Sequence, residues 1–168
     1  MKDTAYFAGG CFWCITPTFD LTEGVLQVVS GYSGGTEGNP TYEDVKHQRT
    51  GHRETIRIVF DPEQVSYARL LEIFLDGVDP FDAGGQFIDR GHSYTLAVYY
   101  LDDAQRGAAE AAFGALAAES GKEPCISLEP FRSFWEAEEY HQEYYKKNPE
   151  AFRRELIESG RMQVPENP

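Results

Sequence analysis

The sequence predicts an α+β fold, a two-layer sandwich in which helices pack on a mixed sheet. Three observations carry this. Runs with strand character alternate with runs at helical spacing, each of modest length; no apolar stretch is long enough to span a bilayer; and 168 residues suffice for one hydrophobic core but not comfortably for two.

Thr4 to Ala8 reads as a strand that runs into Gly9 and Gly10, after which Phe12 to Phe19 suits a helix ending in the turn residues Asp20 to Gly24. Val25 to Tyr32 is β-branched and empties into the loop SGGTEGNP. Thr41 is placed to cap a short helix over Tyr42 to His47. The run ETIRIVFDP alternates, so Glu54 shares a strand face with Ile56, Ile58 and Phe60. Ser66 caps a helix whose Tyr67, Leu70, Leu71, Phe74 and Leu75 form one stripe. Phe81 to Gly91 is a glycine-rich loop of the kind that carries function. Tyr94 to Tyr100 is the next strand; Asp102 caps an alanine-rich helix stopping at Ser120-Gly121; Cys125 to Leu128 is a short strand; Glu138 to Lys147 and Glu150 to Ser159 are expected to be helical.

The net charge of -13 repels phosphate backbones and anionic lipid, so neither nucleic acid nor a membrane is an expected partner. No signal-peptide pattern opens the chain, and a cytoplasmic protein is expected. In that compartment three cysteines do not build a disulfide framework.

Two of the three sit in GGCFWC, Gly9 to Cys14, and three readings compete for them. Both could be small buried hydrophobes beside core aromatics. They could bind zinc, since His47 and His52 have a permitted H-x4-H spacing, although the gap between the pairs is long for a finger. Or Cys11 is a reactive thiol: on a glycine turn at a helix start, free N–H groups and the helix dipole favour thiolate. Cys14, one turn along, would then be within reach to close a disulfide, and Phe12 and Trp13 would form the lip of an apolar pocket.

GGCFWC is followed in order by GVLQVVSGYSGG, NPTY, TGHRETIRIVFDP, IDRGHSYT and FWEAEEYHQEYYKKNP. From about Thr4 to Pro149 the chain resembles the A-type peptide methionine sulfoxide reductases. The resemblance implies a ferredoxin-like topology; from its length the chain is expected to form one catalytic domain over 1–168, with an extended tail from about residue 160. It implies reduction of methionine S-sulfoxide, free or in proteins, as a repair of oxidative damage, with no cofactor and no metal. Cys11 matches the family's nucleophile, Phe12 and Trp13 the aromatic pair that holds the substrate methyl, and Glu54 the acid that protonates the sulfoxide oxygen. Tyr42, Asp89 and Tyr94 match the polar half of the site. Attack leaves a Cys11 sulfenate, which a second thiol converts to a disulfide that thioredoxin or another dithiol donor resets.

The chain departs from the family's commonest pattern at Thr16-Pro17 and at His92 to Leu96, and it has no cysteine after Cys125. Cys14 is therefore the expected recycling thiol, with Cys125 in EPCISL as the alternative. The competing enzyme reading is a thioredoxin-like thiol-disulfide oxidoreductase; a zinc-stabilised or plain interaction domain is the non-enzymatic one.

Overall fold

The computed structural model describes residues 1–158; the expected tail from about 160, and Ser159 at the end of the last helix, lie outside the described residues. The elements are β1 (Asp3–Gly9), α1 (Phe12–Asp20), β2 (Val25–Ser33), α2 (Tyr42–Lys46), β3 (Arg53–Phe60), α3 (Tyr67–Asp76), β4 (Gly85–Gln86), β5 (Asp89–Arg90), β6 (Leu96–Tyr100), α4 (Asp103–Ser120), β7 (Ile126–Pro130), β8 (Phe134–Glu136), α5 (Tyr144–Lys147) and α6 (Pro149–Glu158). Six strands form one sheet in the order β7-β6-β1-β3-β2-β8. Its only parallel pair among the described residues is β6 with β7, so the sheet is mixed as expected. β4 and β5 form a separate two-residue hairpin inside the glycine-rich loop.

Alternation along the central strands divides the two faces. Ala5 and Phe7 of β1 and Ile56, Ile58 and Phe60 of β3 point to the main core, where Phe7 meets Phe19 of α1 at 6.0 Å and Phe74 of α3 at 4.9 Å between ring centroids. Tyr6 and Ala8 point the other way, and Phe131 and Phe134 cover that side. Three helix starts form as their caps dictate: Thr41, Ser66 and Asp102 each accept the backbone N–H three residues on. Gly121, at φ 74°, ends α4 in the left-handed conformation.

Three regions differ from the sequence expectation. Tyr94 does not open a strand but closes a 3₁₀ turn, His92–Tyr94, and β6 begins at Leu96. Cys125 precedes β7 and is half-buried rather than a buried strand residue. The expected helix over Glu138 to Lys147 is replaced by a 3₁₀ turn, Glu139–His141, an extended Gln142 and the single turn of α5. Here tertiary contacts outweigh helix propensity. The Gln142 side chain accepts the N–H of Ser30 at 2.9 Å and donates to its carbonyl at 2.9 Å, so it pairs with β2 as a further strand residue would. Among the described residues no helix is long and apolar enough to cross a membrane.

Candidate active site

The site forms where β1 hands over to α1. Gly10 adopts φ 84°, which a side chain disfavours, and a Cβ on Gly9 would come within 2.9 Å of Ile15 Cδ1. Those two glycines let the chain turn tightly enough to set Cys11 at the N-cap of α1, where its side chain makes no cap bond. The first N–H of the helix, that of Phe12, instead donates to Glu54 Oε1 at 3.2 Å. Glu54 arrives there because it shares the core face of β3 with Ile56 and Ile58, and it is 1% exposed.

A cavity of about 240 Å³ opens beside this contact, lined by Cys11, Trp13, Cys14, Tyr42, Glu54, Asp89 and Tyr94, with Lys46, Ile88, Glu155 and Glu158 at its edges. It is smaller than an ordinary ligand pocket and suits one side chain. Of the residues that the resemblance assigns to the site, Phe12 alone stays behind the wall. It is fully buried, packed against Trp13 and Tyr42, and supports the lip rather than forming it.

Burial pushes the Glu54 carboxyl up to about 8, against the opposing pull of the Phe12 N–H; the Asp89 charge adds to the rise. Tyr94 also pulls it down, yet no donor meets the buried Oε2 in hydrogen-bonding geometry. Burial, followed by the Glu54 charge, raises both Tyr42 and Tyr94, so each keeps its proton for donation. Cys11 differs from its sequence expectation. Its pKa is raised, not lowered, first by a hydrogen bond with the Cys14 side chain, then by burial and by the charges of Cys14, Glu54 and Asp89. A helix start with two carboxylates and a second sulfur beside it is not an electropositive place. Cys11 is thereby favoured as a thiol, and no disulfide joins the three cysteines in this structure.

The zinc alternative finds its histidines occupied. His52 accepts the Gly35 N–H on Nδ1 at 3.2 Å and contacts the Glu37 carbonyl through Nε2 at 2.7 Å, while His47 pairs with Glu43. Cys125 is also engaged elsewhere, with its Sγ 3.6 Å from the Phe81 carbonyl, and it does not line the cavity.

The profile of the family described as peptide methionine sulfoxide reductase matches residues 3–167. The chain belongs to this family. Among curated members it is similar to peptide methionine sulfoxide reductase MsrA of Bacillus subtilis (strain 168), 50% identical over 163 residues that cover 95% of this chain and 92% of that one. Among solved structures, methionine sulfoxide reductase A of Corynebacterium diphtheriae superposes with a TM-score of 0.78 at 31% identity, covering 88% of this chain and 76% of that one. Mxr1 from Saccharomyces cerevisiae in reduced form gives 0.84 at 25%, covering 89% and 87%. Mxr1 has also been solved in complex with Trx2, where the likeness, 0.56 at 16% identity over 85% of this chain and 84% of that one, concerns the fold alone.

Within this peptide methionine sulfoxide reductase family, His92 and Ser93 stand at positions where the chain departs from the common motif, and the geometry shows what they do here. Ser93 is buried and tied twice to the Gln48 side chain, at 2.8 and 3.0 Å; His92 Nε2 lies 3.0 Å from the Gly51 carbonyl. Both brace the turn that presents Tyr94. Sequence reasoning missed Gln48 in that role, and it missed His141 and Tyr144 behind Trp13. Trp13 donates its indole N–H to His141 Nδ1 at 3.1 Å and stacks on Tyr144 at 4.0 Å. The available signal was the aromatic-rich run YHQEYY, which is too dense in rings for a solvated helix.

Proposed function

We propose that this reductase acts on the S epimer of methionine sulfoxide, free or in proteins, with Cys11 as nucleophile and Glu54 as general acid. The single observation that carries the reading is Glu54: a buried carboxyl, mostly protonated at neutral pH, hydrogen-bonded to the helix turn that holds Cys11.

The sulfoxide methyl rests against Trp13, backed by Phe12, while its oxygen faces Glu54 with Tyr42 and Tyr94 as further donors and Asp89 at the edge of the polar half. Glu54 gives its proton to the oxygen as the Cys11 sulfur attacks the sulfoxide sulfur. The proton that Cys11 loses restores Glu54. Glu54 protonates the oxygen again, the S–O bond breaks and water leaves. Water then attacks the Cys11 sulfur, returning its proton to Glu54, the S–S bond breaks with its electron pair going to methionine, and Cys11 is left as a sulfenic acid. A raised Cys11 pKa fits this coupling, because the thiol surrenders its proton only when the oxygen takes one. Cys14, already hydrogen-bonded to Cys11, condenses with the sulfenic acid to a disulfide and water. Thioredoxin or another dithiol donor exchanges with that disulfide and restores both thiols. Dependence on such a donor supports placing the chain in a reducing compartment, the cytoplasm. The order of β6, β1, β3 and β2 with helices α1 and α3 in the connections supports reading the core as ferredoxin-like.

The test is to supply the two epimers separately with dithiothreitol. The S epimer alone should be reduced, and Cys11→Ser should abolish turnover. Reduction of the R epimer only, or an active Cys11→Ser enzyme, would overturn the reading.

A further inference from the structure

His141 is wholly buried in a segment with no other reason to bury a histidine. The indole N–H of Trp13 can only donate, so His141 Nδ1 accepts, and the neutral ring carries its proton on Nε2. Burial lowers the imidazole pKa to about 4, which keeps it neutral and Nδ1 free to accept at any working pH. Nε2 lies 3.9 Å from Glu138 Oε2 and makes no hydrogen bond of its own among the described residues. Glu138 is itself pinned: it accepts the Tyr32 hydroxyl at 3.1 Å, the Tyr42 N–H at 3.2 Å and the Tyr140 hydroxyl at 3.2 Å. The ring is also held by its neighbours, with Tyr42 at 4.2 Å, Tyr140 at 4.0 Å and Phe12 at 5.3 Å.

Trp13 and Tyr42 are adjacent aromatic walls of the cavity, their ring centroids 6.1 Å apart, and His141 touches both. Tyr144 stacks on the indole but cannot stop it from turning in its own plane. A hydrogen bond at the indole edge can. We propose that His141 is a positioning residue, its tautomer fixed toward Glu138, that locks the in-plane rotation of Trp13 and so sets how tightly the apolar side of the sulfoxide is held. The inference rests on the reductase reading of the cavity. It assigns His141 to binding of substrate and not to the chemical step.

Two volume-conserving variants test it. Asparagine places an acceptor where Nδ1 sits, whereas glutamine places it one bond further out, near Nε2. His141→Gln should raise KM for methionine S-sulfoxide about tenfold, the effect of leaving one buried donor unpaired. His141→Asn should stay within about threefold of wild type, and the single-turnover rate at saturating substrate should stay within about threefold in both. The chain has two tryptophans, so Trp135→Phe leaves Trp13 as the sole indole reporter. In that background acrylamide quenching should rise in His141→Gln and not in His141→Asn. Trp13→Phe combined with His141→Gln should cost no more than Trp13→Phe alone. Equal KM and quenching in the two His141 variants would overturn the proposal, as would a fall in single-turnover rate with KM unchanged. Wild-type reduction of the S epimer is read first: its absence would sink the reductase reading, while the quenching contrast would still decide whether His141 holds the indole.

Discussion

Replacing Glu54 with glutamine removes a titratable proton and almost no volume, and it should make the protein slower and more stable at once. Burial moves this carboxyl from 4.5 to about 8 on folding. The folded chain therefore holds the proton more tightly than the unfolded chain. Stability from this group is full below pH 4.5, is lost as pH rises from 4.5 to about 8, and levels off above. Such a difference is worth on the order of 5 kcal/mol across the window, of which about 3 kcal/mol is already lost at pH 7. Glutamine has no proton to lose and can keep accepting the Phe12 N–H through its carbonyl oxygen. Glu54→Gln should thus exceed wild type in urea stability by on the order of 3 kcal/mol at pH 7, with the gap closing toward pH 4.5. Activity should move the other way. Single-turnover release of methionine by the pre-reduced enzyme should fall about 10²- to 10⁴-fold, the usual contribution of a general acid, and should lack the decline expected of wild type above about pH 8. A variant within twofold of the wild-type rate, or a stability difference that stays constant between pH 4.5 and 8, would refute the reasoning.

Cys14→Ser should still release one methionine per enzyme and accumulate Cys11 sulfenic acid, yet lose thioredoxin-driven turnover. Mass spectrometry of wild type after one equivalent of substrate should find a Cys11–Cys14 disulfide, and a Cys11–Cys125 link would refute that assignment. Gln48→Ala should free the Ser93 turn, cost about 1–2 kcal/mol in denaturant unfolding, and slow the chemical step through Tyr94 without touching the cavity; an unchanged rate would show that the turn keeps its shape unaided.

Much of this architecture is legible because local rules and packing agree. The alternation of Glu54, Ile56, Ile58 and Phe60 put the acid on the core face, and the three caps marked their helices correctly. The glycine pair located the turn that carries Cys11. What escaped was set by partners far along the chain. β8 is visible only as the complement of Gly31, whose missing side chain makes room for the Phe134 ring. His141 reads as one polar residue in a helix-like run until Trp13, 128 positions earlier, meets it. The protonation state of Cys11 differs from the helix-start expectation because the Cys14 hydrogen bond and burial, with the Glu54 and Asp89 charges behind them, outweigh the helix start, and neither the burial nor the carboxylates can be read locally.

Helix α1 begins without a side-chain cap from its own neighbourhood. Cys11 offers no cap, no acidic residue stands in the first turn, and the leading N–H waits for a carboxyl 42 residues away. Until β3 has docked beside β1, that end of the helix is undefined, and the sulfur it carries has neither a fixed direction nor an acid beside it. On the proposed mechanism, the contact that completes the start of this helix also sets the acid beside the nucleophile. If Cys11 and Glu54 act as proposed, a half-folded chain has cysteines of ordinary reactivity, and the competence to react with a sulfoxide arrives together with the native sheet.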